Sequence, residues 1–161
     1  MKVVADTSPL TALLHIKQIP LLKTMYGKVI IPSTVASELN TLITFGYDLS
    51  FLKEKETFII QKAMDKQFIA VLSRQLDPGE AEAIALAKVL QADLLLIDEK
   101  LGKQLAEREQ LACKGAIGVL IQAKTEGLLP IIKPYLDDLV NNLKFRLSEK
   151  IYKLALQKAG E

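Results

Sequence analysis

Short runs of apolar residues, each followed at once by a helix-start signal, constrain the fold of this chain more than any other feature. Such runs lie within Lys2–Ala5, Val29–Ile31 and Asp93–Ile97. Strands that are apolar on both faces are typical of parallel sheets covered by helices. Since parallel strands need crossover connections, the alternation of strands and helices predicts right-handed βαβ units. We therefore expect an α/β domain whose ligands bind beyond the carboxyl ends of the strands.

Size and composition fit one globular domain. The chain has 161 residues, of which 50% are hydrophobic and 25% charged, and its mean hydropathy is +0.22. A chain of roughly 150 residues buries about two-thirds of the surface exposed when unfolded, so one core suffices. No apolar stretch approaches the roughly 20 residues of a membrane-spanning helix, and we expect no membrane association. We predict a single domain over residues 1–161, with a core at about 1–127 and a helical C-terminal extension at about 128–161.

The other elements follow from capping signals and apolar periodicity. Asp77 and Glu80 have the spacing of a capping box, which predicts the start of an Ala-rich, buried helix that runs to about Leu90. Ser8 before Pro9 predicts an N-cap for the first helix. The remaining predicted elements are helices near 49–55 and 64–74, a strand near 57–60, a short strand at 111–114, and helices at 117–126, 134–143 and 148–158.

The scarcity of cysteine and histidine restricts the chemistry. Cys113 and His15 are the only residues of their types, so one chain can build neither a disulfide framework nor a zinc site of several Cys or His ligands. We expect an intracellular, cytoplasmic protein that uses carboxylates. The net charge of +2 indicates no polyanion partner by itself. The excess of positive over negative side chains lies in residues 133–161, which favours either a weak nucleic-acid contact or a solvated helical face.

Two aspartates occupy equivalent places at strand ends. Asp6 follows the first strand and Asp98 follows the strand that ends at Ile97. Each could instead cap the next helix, an interpretation that suits Asp98 better than Asp6, because Ser8 is the better-placed cap of the first helix. If the two strands are neighbours in the sheet, both carboxylates lie at one edge.

Two glutamates complete the candidate set. Glu38 borders the apolar stripe formed by Val35 and Leu39, which favours a metal ligand or a buried ion pair unless the side chain bends out to water. Glu80 either belongs to the site or serves only its capping box. Glu82 is interpreted as a solvated charge. Four carboxylates at one edge would repel each other without bridging cations, and oxygen-rich sites of this kind suit Mg²⁺ or Mn²⁺.

In order and spacing these segments resemble the PIN-domain ribonucleases, including the VapC-type toxins. Val3–Leu10 is similar to the family's opening strand with its D-T-S signature, and Glu38 stands in the second βα unit, where the family has a helix glutamate. Gly79–Ala87 and Asp93–Asp98 resemble the acid-led Ala-rich helix and the strand that ends in aspartate. The resemblance covers roughly residues 2–122. It implies a three-layer α/β/α PIN-like (Rossmannoid) fold with a parallel sheet.

The resemblance also implies a function. It implies a metal-dependent endoribonuclease that hydrolyses RNA phosphodiester bonds, the toxin of a toxin–antitoxin pair, with RNA, a small antitoxin protein and a second copy of the chain as partners. The implied catalytic and metal-binding residues are Asp6, Glu38, Glu80 and Asp98, which would hold Mg²⁺ or Mn²⁺. Supporting roles fall to Thr7, Ser8 and Glu99, and contacts to substrate phosphates fall to Lys100, Lys103 and Arg74.

Two positions depart from the family pattern. Glu80 stands where many members have aspartate, and Lys100 stands where a second aspartate often follows the strand-end acid. These departures leave an alternative open, in which the chain is a catalytically weak PIN-like module that binds RNA or a protein. An ordinary nucleotide-binding domain is disfavoured, since neither G-x-G-x-x-G nor a Walker A motif is present.

The C-terminal extension at about 128–161 carries more apolar side chains than a solvated appendage normally exposes. They could cover the last strands of the same sheet. Any remainder would pack against a second copy, and a two-fold dimer is the commonest closed assembly.

Overall fold

A computed structural model of the chain describes residues 1–161 as five strands and nine α-helices. The strands are β1 (Val3–Ala5), β2 (Val29–Pro32), β3 (Phe58–Gln61), β4 (Leu94–Leu96) and β5 (Cys113–Lys114). The helices are α1 (Thr7–His15), α2 (Pro20–Tyr26), α3 (Ser33–Asn40), α4 (Lys66–Leu72), α5 (Pro78–Val89), α6 (Lys100–Arg108), α7 (Ala116–Thr125), α8 (Lys133–Asn141) and α9 (Glu149–Lys158). The predicted α/β class is confirmed.

The sheet is entirely parallel, with the strand order β3-β2-β1-β4-β5. In its centre, Val4 of β1 lies opposite Ile30 on one side and Leu95 on the other. The chain moves outward from β1 to β3 and then returns through α4 and α5 to β4, on the other side of β1. The order therefore reverses between β1 and β4, and such a switch point opens a crevice at the carboxyl edge of a sheet. Asp6 and Asp98 follow the two strands that flank this crevice.

Two hydrophobic cores cover the faces of the sheet. Val3 and Ala5 point into the larger core with α1, α2, α3 and α7, whereas Val4 points into the smaller core with α5 and α6. Alternate residues of a strand face opposite sides, so a buried three-residue strand can serve both cores. The chain thus has the predicted three layers.

The segment between α3 and α4 is less helical than predicted. Instead of a helix near 49–55, Ser50–Lys53 forms one 3-10 turn, and a second such turn spans Thr41–Phe45. One turn is enough to bury Phe51, whose ring meets that of Phe58 edge-on at 5.0 Å between centroids. The helix predicted near 64–74 is shorter in the structure and corresponds to α4, Lys66–Leu72.

The C-terminal extension packs mainly on its own chain. Leu129, Ile132, Leu136 and Leu139 are buried in the larger core, and Ala155 of α9 joins them. The large apolar side chains of this segment that stay exposed are Leu128, Ile131, Ile151 and Leu154. The buried part of the extension therefore belongs to the larger core, and a smaller apolar surface is left for other contacts. None of the nine helices has the length and apolar character needed to cross a bilayer.

Candidate active site

Asp6 lies at the bottom of the crevice between β1 and β4. Its backbone N–H donates to Leu96 O at 2.9 Å, so the sheet ladder continues to Asp6 and α1 begins at the next residue. This places Asp6 at the N-cap position, although its side chain makes no capping hydrogen bond. The prediction that Ser8 caps α1 is therefore wrong, because Ser8 lies inside the first turn.

The Asp6 carboxyl group is buried without a partner. The residue is 1% exposed, and neither Oδ1 nor Oδ2 has a hydrogen-bond donor. Burial, joined by the nearby charges of Glu80, Glu38 and Asp98, raises the pKa of Asp6 to about 8, against an opposing effect of the Thr7 N–H. The other three predicted acids thus lie within electrostatic reach of Asp6, and its raised pKa disfavours the charged form unless a cation compensates the charge.

Asp98 is held by a helix other than the predicted one. Its Oδ1 accepts a hydrogen bond of 3.1 Å from the N–H of Ala116, the first residue of α7, while α6 begins after Glu99. The interpretation that Asp98 caps α6, the helix that follows it in sequence, is therefore wrong. The Ile97 N–H donates to Lys114 O, in the last residue of β5, and this pairing places Asp98 next to the start of α7. Oδ2 is buried without a donor, and burial raises the pKa of Asp98 to about 6.

Glu38 is tied to two other helices. Its Oε1 accepts from the Gly79 N–H of α5 at 3.1 Å, and its Oε2 accepts from the Thr7 hydroxyl of α1. The sequence left three alternatives for Glu38. Its two hydrogen bonds fit neither a buried ion pair nor a side chain that bends out to water. Thr7, which was predicted to have a supporting role, orients the Glu38 carboxylate through its hydroxyl.

The two carboxylate oxygens of Glu80 have different surroundings. Oε2 accepts from the Asp77 N–H at 3.2 Å, as in a capping box, whereas Oε1 is buried and has no donor. Burial is the largest cause that raises the pKa of Glu80. Capping therefore leaves one oxygen of Glu80 available to the crevice.

Three glycines leave room for these carboxylates. A Cβ atom would lie 2.5 Å from Glu38 Oε2 at Gly79 and 2.2 Å from Asp98 Oδ1 at Gly115. At Gly102 it would lie 2.7 Å from Ile97 Cδ1 and 3.1 Å from Glu80 Oε1. Sequence reasoning missed this role. Gly102 could have indicated it. A glycine inside a helix lowers helix stability by about 1 kcal/mol relative to alanine, so its presence there suggests that close packing requires it.

Comparison with known proteins identifies the family of this chain. A family model described as a PIN domain matches residues 2–161. The chain belongs to the PIN-domain family. Among solved structures, this PIN domain is similar to a PilT N-terminus domain protein from the hyperthermophilic archaeon Sulfolobus solfataricus P2, with a TM-score of 0.53 and 21% identity over 76% of this chain and 93% of that chain. At that identity the likeness concerns the fold. The chain matches none of the curated proteins with which it was compared.

PIN domains generally have a nuclease fold and use divalent metal ions. The donor set of this PIN domain fits such an ion, because its buried unpartnered atoms are all carboxylate oxygens. No three His, Cys, Asp or Glu side chains converge closely enough to form a ready-made metal site. A cation would have to draw the carboxylates together.

The other predicted site residues lie at different distances from the crevice. Lys103 is half-buried with its ammonium beside Asp98, since a Cβ on Gly115 would lie 3.2 Å from Lys103 Nζ. Glu99 is exposed, yet its charge raises the pKa of both Glu80 and Asp98. The structure brings neither of the remaining two cations to the acids: Lys100 is exposed at the start of α6, and Arg74 is exposed after α4.

Glu82 of this PIN domain is not the solvated charge that the sequence predicted. It is 4% exposed and accepts hydrogen bonds from Ser33 Oγ at 2.9 Å, Thr34 N at 2.7 Å and Ala63 N at 3.0 Å. Burial alone would raise its pKa, but these hydrogen bonds outweigh burial and lower the pKa. Glu82 thereby fixes α5 to the start of α3 and so sets the positions of Glu80 and Glu38.

Proposed function

We propose that this PIN domain is an endoribonuclease that uses Mg²⁺ or Mn²⁺ held by Asp6, Glu38, Glu80 and Asp98. One observation carries the proposal: Asp6 Oδ1, Asp6 Oδ2, Glu80 Oε1 and Asp98 Oδ2 are buried without any hydrogen-bond donor. Leaving such oxygens unpaired is costly, and a cation is the partner that satisfies several carboxylates at once.

The proposed reaction is hydrolysis of an RNA phosphodiester. A divalent cation bound in the crevice would activate water and stabilise the charge that develops on the leaving oxygen. The water oxygen forms a bond to phosphorus, the bond from phosphorus to the leaving oxygen breaks, and the leaving oxygen gains the proton that water loses.

The residues of the chain position the reacting groups. Thr7 and Gly79 hold the Glu38 carboxylate from α1 and α5, and Ala116 holds one oxygen of Asp98. Three separate helices therefore hold Glu38 and Asp98 at the rim of the crevice, from which a bound cation would draw the four carboxylates together. Asp6 must release its proton to act as a ligand, so metal binding and deprotonation are coupled.

The biological setting that we propose is a toxin–antitoxin pair, with a small antitoxin protein as the partner that restrains the nuclease. The resemblance to VapC-type toxins is what supports it. A short reading frame that encodes a binding partner directly upstream would be in line with the proposal. Co-purification of that partner with the chain, and loss of RNA cleavage in the complex, would support it further.

The experiment is RNA cleavage by the purified protein. Single-stranded RNA should be cut with Mn²⁺ and spared with EDTA, and Asp6→Asn should lower the rate by at least about 100-fold. Glu107→Gln is the matched control, since this exposed acid of α6 lies outside the cluster and should leave cleavage unchanged. Cleavage that persists in Asp6→Asn, or cleavage of DNA but not RNA, would contradict the proposal. RNA binding without cleavage would favour the catalytically weak alternative.

A further inference from the structure

One positively charged side chain, that of Lys103, lies at the acid cluster. Lys103 Nζ and Asp98 Oδ1 border the same small gap, which the missing side chain of Gly115 leaves open: a Cβ there would lie 3.2 Å from the ammonium and 2.2 Å from the carboxylate oxygen. Lys103 is in the first turns of α6, where Gly102 also lets the helix approach Glu80. The ammonium is therefore positioned by the packing of α6 and α7 on the crevice.

This ammonium has no dedicated partner. Lys103 takes part in none of the six ion pairs of the chain. Asp98 Oδ1 already accepts from Ala116, and the effect of Lys103 on Asp98 is electrostatic, lowering its pKa against the effect of burial. Among the four acids, the positive charge of Lys103 thus acts on Asp98.

The rest of the cluster lacks positive charge. The charges that shift the pKa of Asp6 and of Glu80 all belong to other carboxylates. The first turns of α6 carry Lys100 and Lys103 but no acid after the exposed Glu99. The Asp98 end of the crevice therefore carries an ammonium at the place where a second divalent ion would lie beside Asp98 and Glu99.

We propose that Lys103 supplies the second positive charge of this site and that the chain accordingly binds a single divalent cation. In two-metal sites the ions lie about 3.5–4 Å apart and share carboxylates. An ammonium beside Asp98 repels a second divalent ion and provides part of the charge compensation that this ion would give. The inference rests on the proposed function for the presence of the first cation.

The test is a count of bound Mn²⁺ per chain by calorimetric titration and by the loss of free Mn²⁺ signal in electron paramagnetic resonance. We expect one ion for the wild type, one for Lys103→Arg, which keeps the charge, and one for the control Lys100→Gln. Lys103→Gln should bind two. Lys103→Met, which also removes the charge but keeps an apolar stem, is a second variant in case Lys103→Gln folds poorly.

The outcomes separate this inference from the proposed nuclease activity, because the count needs no RNA. Two ions in the wild type, no ion in the wild type, or one ion in both uncharged variants would overturn the role of Lys103. One ion in the wild type and two in Lys103→Gln, without any RNA cleavage, would contradict the nuclease and leave the role of Lys103 standing.

Discussion

The Thr7 hydroxyl donates a hydrogen bond to Glu38 Oε2 and thereby joins the first residue of α1 to the middle of α3. The second oxygen of Glu38 accepts from Gly79 N of α5 at 3.1 Å. One carboxylate therefore connects three helices around the crevice. Asp6, beside Thr7 in sequence, keeps both of its oxygens free of such bonds.

Removal of the Thr7 hydroxyl should weaken metal binding. Thr7→Val keeps the shape of the side chain but lets the Glu38 carboxylate rotate, and groups that orient metal ligands typically contribute about 10- to 100-fold in affinity or activity. Thr7→Ser keeps the hydroxyl and should remain close to the wild type. Titration with Mn²⁺ measures both variants, and equal affinities for Thr7→Val and Thr7→Ser would contradict the role of this hydrogen bond.

The metal-free protein should lose stability as the pH rises from about 5 to 8. The pKa of Asp6 is raised to about 8 and that of Asp98 to about 6. An acid whose pKa is higher in the folded than in the unfolded chain contributes stability below its unfolded pKa of about 4, and this contribution is lost as the pH rises through the folded pKa. In EDTA, the thermal midpoint should therefore be higher at pH 5 than at pH 8.

Asp6→Asn provides the control for this pH dependence. The amide cannot ionise, so the variant should show a flatter profile and should be more stable than the wild type at pH 8 without metal. Mn²⁺ should stabilise the wild type at pH 8 and have little effect on the variant. An unchanged slope in Asp6→Asn would assign the pH dependence to other groups.

Gly115→Ala should impair the site, whereas Gly118→Ala in α7 should not. At Gly115, the N-cap of α7, the added Cβ would lie 2.2 Å from Asp98 Oδ1, which accepts a hydrogen bond from Ala116. At Gly118 the nearest atom is Cγ of the Lys114 side chain at 2.6 Å, so the added Cβ would displace Lys114 but no carboxylate. Mn²⁺ affinity should therefore fall in Gly115→Ala and stay close to that of the wild type in Gly118→Ala. Equal affinity in both variants would show that this space is not required.

Loss of Glu82 should destabilise the whole domain. Glu82→Ala leaves the N–H groups of Thr34 and Ala63 without their acceptor, and we expect the free energy of unfolding to fall by about 3 kcal/mol. Glu107→Ala, at an exposed position of α6, should change it by less than about 0.5 kcal/mol. Urea denaturation at pH 7 compares the two, and a similar effect of both would refute the structural role of Glu82.

Local signals were enough to predict most of the elements, although not α2 or the 3-10 turn at Ser50–Lys53, and to place Asp6 and Asp98 at strand ends. An apolar run that ends in Asp6 or Asp98 defines a buried strand and a residue at its carboxyl end, and neither inference needs knowledge of distant partners. The Ala-rich helix after Asp77 is apolar on nearly all sides, and Gly79–Ala87 are indeed all buried. The pairing of β1 with β4 confirms that Asp6 and Asp98 follow neighbouring strands.

Partners that are distant in sequence could not be predicted in this way. Asp98 caps α7 rather than α6 because β5 lies beside β4, and no local pattern reveals which strand is the neighbour. Glu82 was misinterpreted for the same reason, since its donors come from α3 and from the end of β3. The space that Gly79 and Gly115 provide depends on which carboxylate packs against each of them.

The strand order also determines when during synthesis this site can exist. Asp6 and Glu38 leave the ribosome early, whereas β4, Asp98 and the Ala116 N–H that holds Asp98 follow much later in the chain. Chains emerge from the N-terminus, so the crevice beside β1 has only one wall until β4 has been made and has paired. If the proposed nuclease activity needs both Asp6 and Asp98, a nascent chain that lacks β4 cannot yet have that activity.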